Sequence, residues 1–229
     1  MRFKGILLDL DNTIYDYDLA HNAAFNKVIV SLSAKHKISS QKLKVFYSKA
    51  RDKIHHRLSM YAAGHNRMLY FQEMFELLNI NSLEYSLQAY NIYWNTFLKN
   101  MFVREGVYEF LRLSKNYPLC IVSDLTAVIQ HRKIKKLNLC NYVNFLVSSE
   151  EAGHEKPRRE IFDLALQKLK LFPNEVCMIG DNFDKDIKGA VSLGIKSFWL
   201  TIKNEDKKKK IPKGIVAFSK FSELPQYFL

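Results

Sequence analysis

Cysteine is scarce in this chain: Cys120, Cys140 and Cys177 are the three in 229 residues. Odd in number, widely separated and without metal-type spacing, they exclude a disulfide-stapled scaffold and a thiolate metal centre. They are expected as reduced core residues, which suits a cytoplasmic protein. Glycine and proline are also few, at 8 and 5, which argues against a turn-rich all-β fold and against disorder. Long apolar runs are missing. No segment approaches the roughly 18 uncharged residues of a membrane helix, so no membrane partner is expected. Asp9 cuts short the apolar run after Arg2 and Lys4, so a signal peptide is not expected either. Acidic residues are in deficit, 23 against 35 Lys and Arg, for a net charge of +12. Such a surface attracts anions, phosphorylated metabolites and nucleic acid among them. The densest basic run, "NEDKKKKIPKG" from Asn204 to Gly214, lacks interleaved aromatics. It reads as a solvated loop, and no specific nucleic acid is expected.

What is present is 48% hydrophobic and 25% charged, ordinary globular composition. Short apolar runs, each followed by a polar turn, read as strands at 3–10, 118–124, 143–149, 175–181 and 195–200, with a last edge strand at 214–218. Helical patterns lie between the later runs; Phe162, Ala165, Leu166 and Leu169 share one face. Near-continuous apolar strands alternating with helices predict an α/β fold, a Rossmann-like parallel sheet with helices on both faces. Residues 16–103 break the alternation. Phe25, Val28, Ile29 and Leu32, then Phe71, Met74, Phe75 and Leu78, then Leu83, Leu87, Tyr90, Trp94 and Phe97 recur at helical steps. This predicts an all-helical domain (16–103) inserted after the first strand of a core made of 1–15 and 104–229.

The first strand runs into "DLDNT". Residues i and i+2 of an extended segment face the same way, so Asp9 and Asp11 project together. Two carboxylates so close repel unless a cation joins them or one holds a proton. A hard divalent cation suits oxygen ligands, and Mg²⁺ takes few carboxylates beside water and phosphate. Asp181, ending another strand, offers a further carboxylate. Lys156 precedes Pro157, expected in the first turn of a helix. A lysine there is disfavoured by the dipole unless an anion is present. Ser123 at a strand-to-helix turn offers a hydroxyl to phosphate oxygens.

"DLDNT" (9–13), the Ser of "IVSD" (121–124), "EKP" (155–157) and "GDNFDKDIKGA" (180–190) together resemble the four ordered motifs of the haloacid dehalogenase (HAD) superfamily. The helical insertion after the first motif is similar to its helical-cap subfamily. The resemblance covers essentially the whole chain and implies a phosphohydrolase. Asp9 would be the nucleophile that forms an aspartyl-phosphate, and Asp11 the general acid that later activates water. Thr13 and Ser123 would hold phosphate, and Lys156 would neutralise charge on it. Asp9, the main-chain carbonyl of Asp11 and Asp181 would hold Mg²⁺, while Asp186 would support Lys156 or a metal-bound water. Asp184 has no implied role. Dehalogenases of the superfamily lack the second Asp of the pair, so Asp11 favours phosphoryl transfer.

The expected ligand is a small phosphorylated metabolite, a nucleoside monophosphate or sugar phosphate, acted on by a monomer or homodimer. A phosphomutase, or a non-catalytic binding protein of the same fold, is the competing reading. Within the insertion, Gly64, His65, Asn66 and Arg67 form a polar break; His65 and Arg67 are candidate specificity residues, with His21 and Asn22 further candidates. His55, His56 and Arg57 are expected to be solvated or capping.

Overall fold

The computed structural model describes residues 3–202 and 211–228. The lysines 207–210 lie outside the described residues. The chain divides into two compact units, Met1–Asp16 with Phe102–Leu229, and Tyr17–Met101. No described helix is long and apolar enough to cross a membrane.

The unit Tyr17–Met101 is helical: α1 (Tyr17–His36), α2 (Ser40–Arg57), α3 (Arg67–Leu77) and α4 (Ser82–Lys99). Side-chain caps start α2, α3 and α4. The Ser39 side chain accepts from Lys42 N, Asn66 from Met68 N, and Asn81 from Leu83 N and Glu84 N, each satisfying an otherwise orphaned donor. Ala24, Val28, Ile29 and Leu32 bury the α1 stripe, and Phe71, Met74 and Phe75 that of α3. The α4 stripe differs from expectation. Leu83 and Leu87 are 90% and 57% exposed, while Trp94 and Phe97 are buried as expected, joined by Ser86, Ala89 and Tyr93. Ser86 and Ala89 are small, and a hydrophobicity pattern overlooks them.

The other unit carries the sheet. Its strands are β1 (Gly5–Leu8), β2 (Leu119–Ser123), β3 (Phe145–Ser148), β4 (Val176–Gly180), β5 (Lys196–Leu200) and β6 (Ile215–Phe218). They form one sheet in the order β3-β2-β1-β4-β5-β6, every pair parallel. Its helices are α5 (Val107–Leu113), α6 (Ala127–Lys136), α7 (Ser149–Ala152), α8 (Arg159–Leu169) and α9 (Lys188–Ser192). β1, β2 and β4 are buried along their whole lengths, as expected for strands covered on both faces. On one face Leu7, Cys120, Val122, Val147 and Met178 pack with Ile161, Phe162 and Ala165 of α8 and Ala190 of α9. Gly189 permits this contact, since a Cβ there would lie 2.8 Å from the Phe162 ring. On the other face, Leu8, Ile179 and Phe198 are in register. Phe198 meets Phe228 at 5.8 Å, and Phe228 meets Phe110 of α5 at 5.5 Å.

Two local expectations need correction. Pro157 is not in a first helical turn: α8 begins at Arg159, and residues 155–158 form a turn closed by Arg158 N donating to Glu155 O at 3.0 Å. Cys140 is exposed, while Cys120 and Cys177 are buried; the neighbouring Leu139, fully buried, takes the core position there.

Candidate active site

The order of strands reverses between β1 and β4, and ligands of open parallel sheets bind at the carboxyl ends beside such a switch point. Asp9 follows β1, Asp181 follows β4, and Ser123 ends β2. Asn12 turns the chain sharply after Asp11, with φ 63°, a left-handed conformation that asparagine tolerates. That turn brings Thr13 back towards the strand ends. Its hydroxyl donates to Asp9 Oδ2 at 2.7 Å and accepts from Asp181 N at 3.1 Å. Thr13 thereby ties the β1 and β4 ends together.

Asp9 is buried, and Lys156 Nζ meets its Oδ1 at 2.6 Å. The same ammonium touches Asp186 Oδ1 at 2.7 Å and donates to Val122 O at 2.9 Å. Burial works against the charge on Lys156, but Asp186, Asp9 and Asp124 outweigh it and hold the ammonium protonated. Burial pushes the Asp9 carboxyl well above its usual range, Asp186 and Asp181 add to that push, and Lys156 opposes it. Asp9, Asp181 and Asp186 bring one oxygen each within 4.8 Å of one another. This donor set is all carboxylate, which fits a hard oxygen-seeking cation rather than a soft one. Asp186 lies in a single π-helical turn, Phe183–Ile187, capped by Asn182, an element frequent at functional sites. Its approach depends on Gly180: a Cβ there would sit 2.6 Å from Asp186 Cγ. Asp184, by contrast, is exposed and pairs with Lys188 at 2.7 Å.

Helix α6 adds two residues that motif spacing does not reveal. Gln130 Nε2 donates to Ser123 Oγ at 2.7 Å and to Asp124 O at 2.6 Å. With that acceptor filled, the Ser123 proton retains only a long 3.5 Å contact to Asp124 O. One turn on, Lys133 is fully buried and its Nζ lies 2.7 Å from both carboxylate oxygens of Asp11. The Tyr15 hydroxyl also donates to Asp11. The Asp11 side chain is therefore fixed by two donors, and it is not among the three clustered carboxylates.

A second network braces the turns. Lys185 Nζ bridges Asp124 Oδ2 at 2.9 Å and Glu155 Oε2 at 3.1 Å, while Asp124 Oδ1 accepts from Lys156 N at 3.0 Å. Leu125 beside it has φ 110°, a strained conformation for a non-glycine residue. Its N–H is held by Ser149 Oγ at 2.8 Å.

The pattern of haloacid dehalogenase-like hydrolases matches residues 6–200. The chain belongs to that family. It is 30% identical over 197 residues to a ribulose-1,5-bisphosphate 5-phosphatase of Halopiger xanaduensis, covering 84% of this chain and 82% of the relative. A glyceraldehyde 3-phosphate phosphatase of Pyrococcus furiosus is 28% identical over 204 residues, 87% of this chain and 81% of that one. In fold, the structure is similar to a HAD-hydrolase of Bacillus subtilis bound to magnesium, with a TM-score of 0.74 at 20% identity over 100% and 99% of the two chains. This chain is a HAD-like phosphatase.

In the helical unit of this HAD-like phosphatase, three of the four candidate specificity residues are linked, His65 to Arg67 directly and His21 to Arg67 through Tyr93. His21 Nδ1 lies 2.7 Å from the Tyr93 hydroxyl, which also faces Arg67 Nε at 3.4 Å. His65 contributes its carbonyl, which accepts from Arg67 Nη1 at 2.8 Å; its ring stands edge-on to His55 at 4.8 Å. Asn22 is exposed and does not join them. His55 is half-buried and bonded to the Tyr70 hydroxyl at 2.5 Å rather than solvated, while His56 and Arg57 are exposed. Gly64 permits the tight turn, since a Cβ there would lie 2.5 Å from Leu58 O.

Proposed function

We propose that the protein is an Mg²⁺-dependent phosphomonoesterase that works through an aspartyl-phosphate on Asp9. The observation that carries this reading is the Asp9 carboxylate, buried at the end of β1, with Lys156 at 2.6 Å on one oxygen and Thr13 at 2.7 Å on the other. A nucleophile held at both oxygens is oriented before substrate arrives. Attack by Asp9 forms the new P–O bond as the ester P–O bond breaks; for Asp11 to supply the proton to the leaving oxygen, its carboxyl takes up a proton and turns from Lys133 when substrate binds. Asp11 then takes a proton from the water that hydrolyses the acyl-phosphate, restoring Asp9 and releasing inorganic phosphate.

Lys156 compensates charge on the transferring group, and Asp186 keeps Lys156 in place. Ser123, its acceptor filled by Gln130, has its proton for a phosphate oxygen. Thr13 acts chiefly on Asp9 and Asp181, to which its hydroxyl is committed. Asp9 and Asp181, with the main-chain carbonyl of Asp11, would hold Mg²⁺, whose chemistry is to offset the repulsion between carboxylates and a phosphate dianion. Lys133 and Gln130 are positioning residues. The helical unit is the part that selects the substrate; relatives that cover most of the chain are named for a sugar bisphosphate and a triose phosphate, and one that matches 44% of it is a pyrimidine 5'-nucleotidase of Escherichia coli, so both substrate classes stand.

The test is hydrolysis of an aryl phosphate with Mg²⁺ and with EDTA, followed by sugar phosphates, sugar bisphosphates, triose phosphates and nucleoside monophosphates. Activity should require Mg²⁺ and vanish in Asp9→Asn. No hydrolysis of any of these esters, or full activity in Asp9→Asn, sinks the reading.

A further inference from the structure

All three ammonium protons of Lys156 have acceptors. Asp9 Oδ1 lies at 2.6 Å, Asp186 Oδ1 at 2.7 Å and Val122 O at 2.9 Å. An ammonium on a flexible four-carbon stem keeps that geometry only while its main chain stays in register with the strand ends. The turn that carries it closes on itself, Arg158 N donating to Glu155 O at 3.0 Å. Its described main-chain tie across to the β2 end is the Lys156 N–H, which donates to Asp124 Oδ1 at 3.0 Å. Whatever holds the Asp124 carboxylate therefore holds the backbone of Lys156.

That carboxylate is held by Lys185. Lys185 Nζ lies 2.9 Å from Asp124 Oδ2 and 3.1 Å from Glu155 Oε2. Two carboxylates brought together repel unless a cation joins them, and here one ammonium does so. Glu155, the residue before Lys156, is 3% exposed. Burial works against the charge on Lys185, but Asp124 and then Glu155 outweigh it and keep it a cation. Lys185 and Asp186 are consecutive in the π-helical turn Phe183–Ile187. That turn reaches Lys156 twice, with Asp186 at its ammonium and with Lys185 at its main chain through Asp124. The neighbouring chain is strained: Leu125 has φ 110°, which persists only where the surroundings over-determine it. Ser149 Oγ holds Leu125 N at 2.8 Å, Glu150 Oε2 holds Ala127 N at 2.8 Å, and Gln130 Nε2 holds Asp124 O at 2.6 Å. These bonds fix the main chain after β2, but none of them touches the Asp124 carboxylate. Without Lys185 that carboxylate, 17% exposed, can turn towards solvent and leave the Lys156 N–H.

We propose that Lys185 is a positioning residue of the active site: by joining the Asp124 and Glu155 carboxylates it fixes the main chain of Lys156, and with it the approach of the Lys156 ammonium to Asp9. It acts through Asp124 and touches no reacting atom. Its effect on rate rests on the phosphatase reading; the link from Lys185 to Lys156 does not.

The test has two arms. The first measures aryl phosphate hydrolysis with Mg²⁺, beside thermal unfolding, in Lys185→Met, Lys185→Arg and the double variant Lys185→Met with Glu155→Gln. Lys185→Met should lower kcat ~10- to 100-fold, as a shift on the order of 1 Å in a charge-compensating group implies, with KM within about threefold. Lys185→Arg keeps a cation and should recover most of the rate. The double variant should melt above Lys185→Met, because the charge on buried Glu155 is gone. Its kcat should still lie ~10-fold or more below the wild type, because Asp124 remains untethered. It also carries the test if Lys185→Met does not fold. A brace that serves stability alone would return kcat in step with the melting temperature in the double variant. That result overturns the proposal, as does a kcat within about twofold of the wild type in folded Lys185→Met. The second arm needs no turnover. On the Glu155→Gln background, Lys156→Met and Lys185→Met are compared singly and together by denaturant titration. Two lysines that share Asp124 should give non-additive losses of stability; additive losses overturn the proposal. If the wild type hydrolyses no phosphomonoester, the phosphatase reading fails and the second arm alone decides whether Lys185 holds Lys156.

Discussion

Replacing Lys133 by methionine isolates what a buried cation does for Asp11. Methionine keeps most of the stem volume, so packing changes little, while the two 2.7 Å contacts to Asp11 disappear. Breaking a fully buried ion pair costs about 3–5 kcal/mol. The Asp11 side chain is 27% exposed and can be partly solvated, so a loss nearer ~1–3 kcal/mol is expected. At roughly 2–4 °C per kcal/mol for a chain of this size, the melting temperature should fall by about 2–12 °C.

The catalytic effect should be larger than the stability effect. With Lys133 gone, only the Tyr15 contact described above restrains the carboxylate, and a displacement on the order of 1 Å costs about 10²-fold in rate. Steady-state hydrolysis of an aryl phosphate, well below the melting point, should show kcat down ~30- to 300-fold with KM within about threefold. Lys133→Arg, which keeps a cation, should recover part of that loss. A structural role alone would lower activity only through the unfolded fraction, and Arg would then rescue stability and rate in step. A kcat within twofold of wild type in Lys133→Met would refute the reasoning.

Gly180→Ala drives a methyl against Asp186, whose Cγ would lie 2.6 Å away. Stability should fall by ~1–3 kcal/mol in denaturant titration, and kcat should fall with it as Asp186 leaves Lys156. Asp9→Asn should abolish turnover yet raise the melting temperature. The folded Asp9 carboxyl titrates well above its ordinary range, so the wild type loses stability as pH rises through that value and Asn does not. The gain should be largest near pH 8, measured without divalent cation, and should vanish below the ordinary carboxylate range; a pH-independent difference would contradict it. For the thiols, native labelling should modify Cys140 alone, because burial pushes Cys120 up to about 12 and Cys177 up as well. Mass spectrometry of the labelled peptides reads this directly.

The sheet was legible because it rests on local signals that tertiary packing reinforces. Each expected apolar run contains one of the six strands; β1, β2 and β4, buried on both faces, leave continuous hydrophobic text, and the less buried edge strands β3 and β6 are still apolar runs. Their trimmed ends reflect chain leaving the ladder, as at Asp9, rather than a change in composition. Helix faces were less legible where small residues do the packing. Ser86 and Ala89 are buried while Leu83 and Leu87 face solvent. Nothing at those four positions in isolation says which side the neighbouring helices will cover.

The site divides along the same line. Asp9, Thr13, Ser123, Lys156, Asp181 and Asp186 stand out in the sequence because each lies in a short polar stretch after an apolar run, and the structure brings all six near the carboxyl ends of β1, β2 and β4. Lys133 and Gln130 carry no such mark. In sequence they are a lysine among "HRKIKK" and a glutamine four residues past Thr126, indistinguishable from a solvated helix face. Only the packing of α6 turns that face inward, where Gln130 reaches Ser123 and Lys133 reaches Asp11, 122 residues away. The same reasoning explains the net charge of the buried set. Lys133 answers Asp11, and Lys156 answers Asp9 and Asp186. Arg67 alone of the buried cations has no carboxylate partner among the described residues; tyrosine hydroxyls, a backbone carbonyl and two ring faces surround it instead.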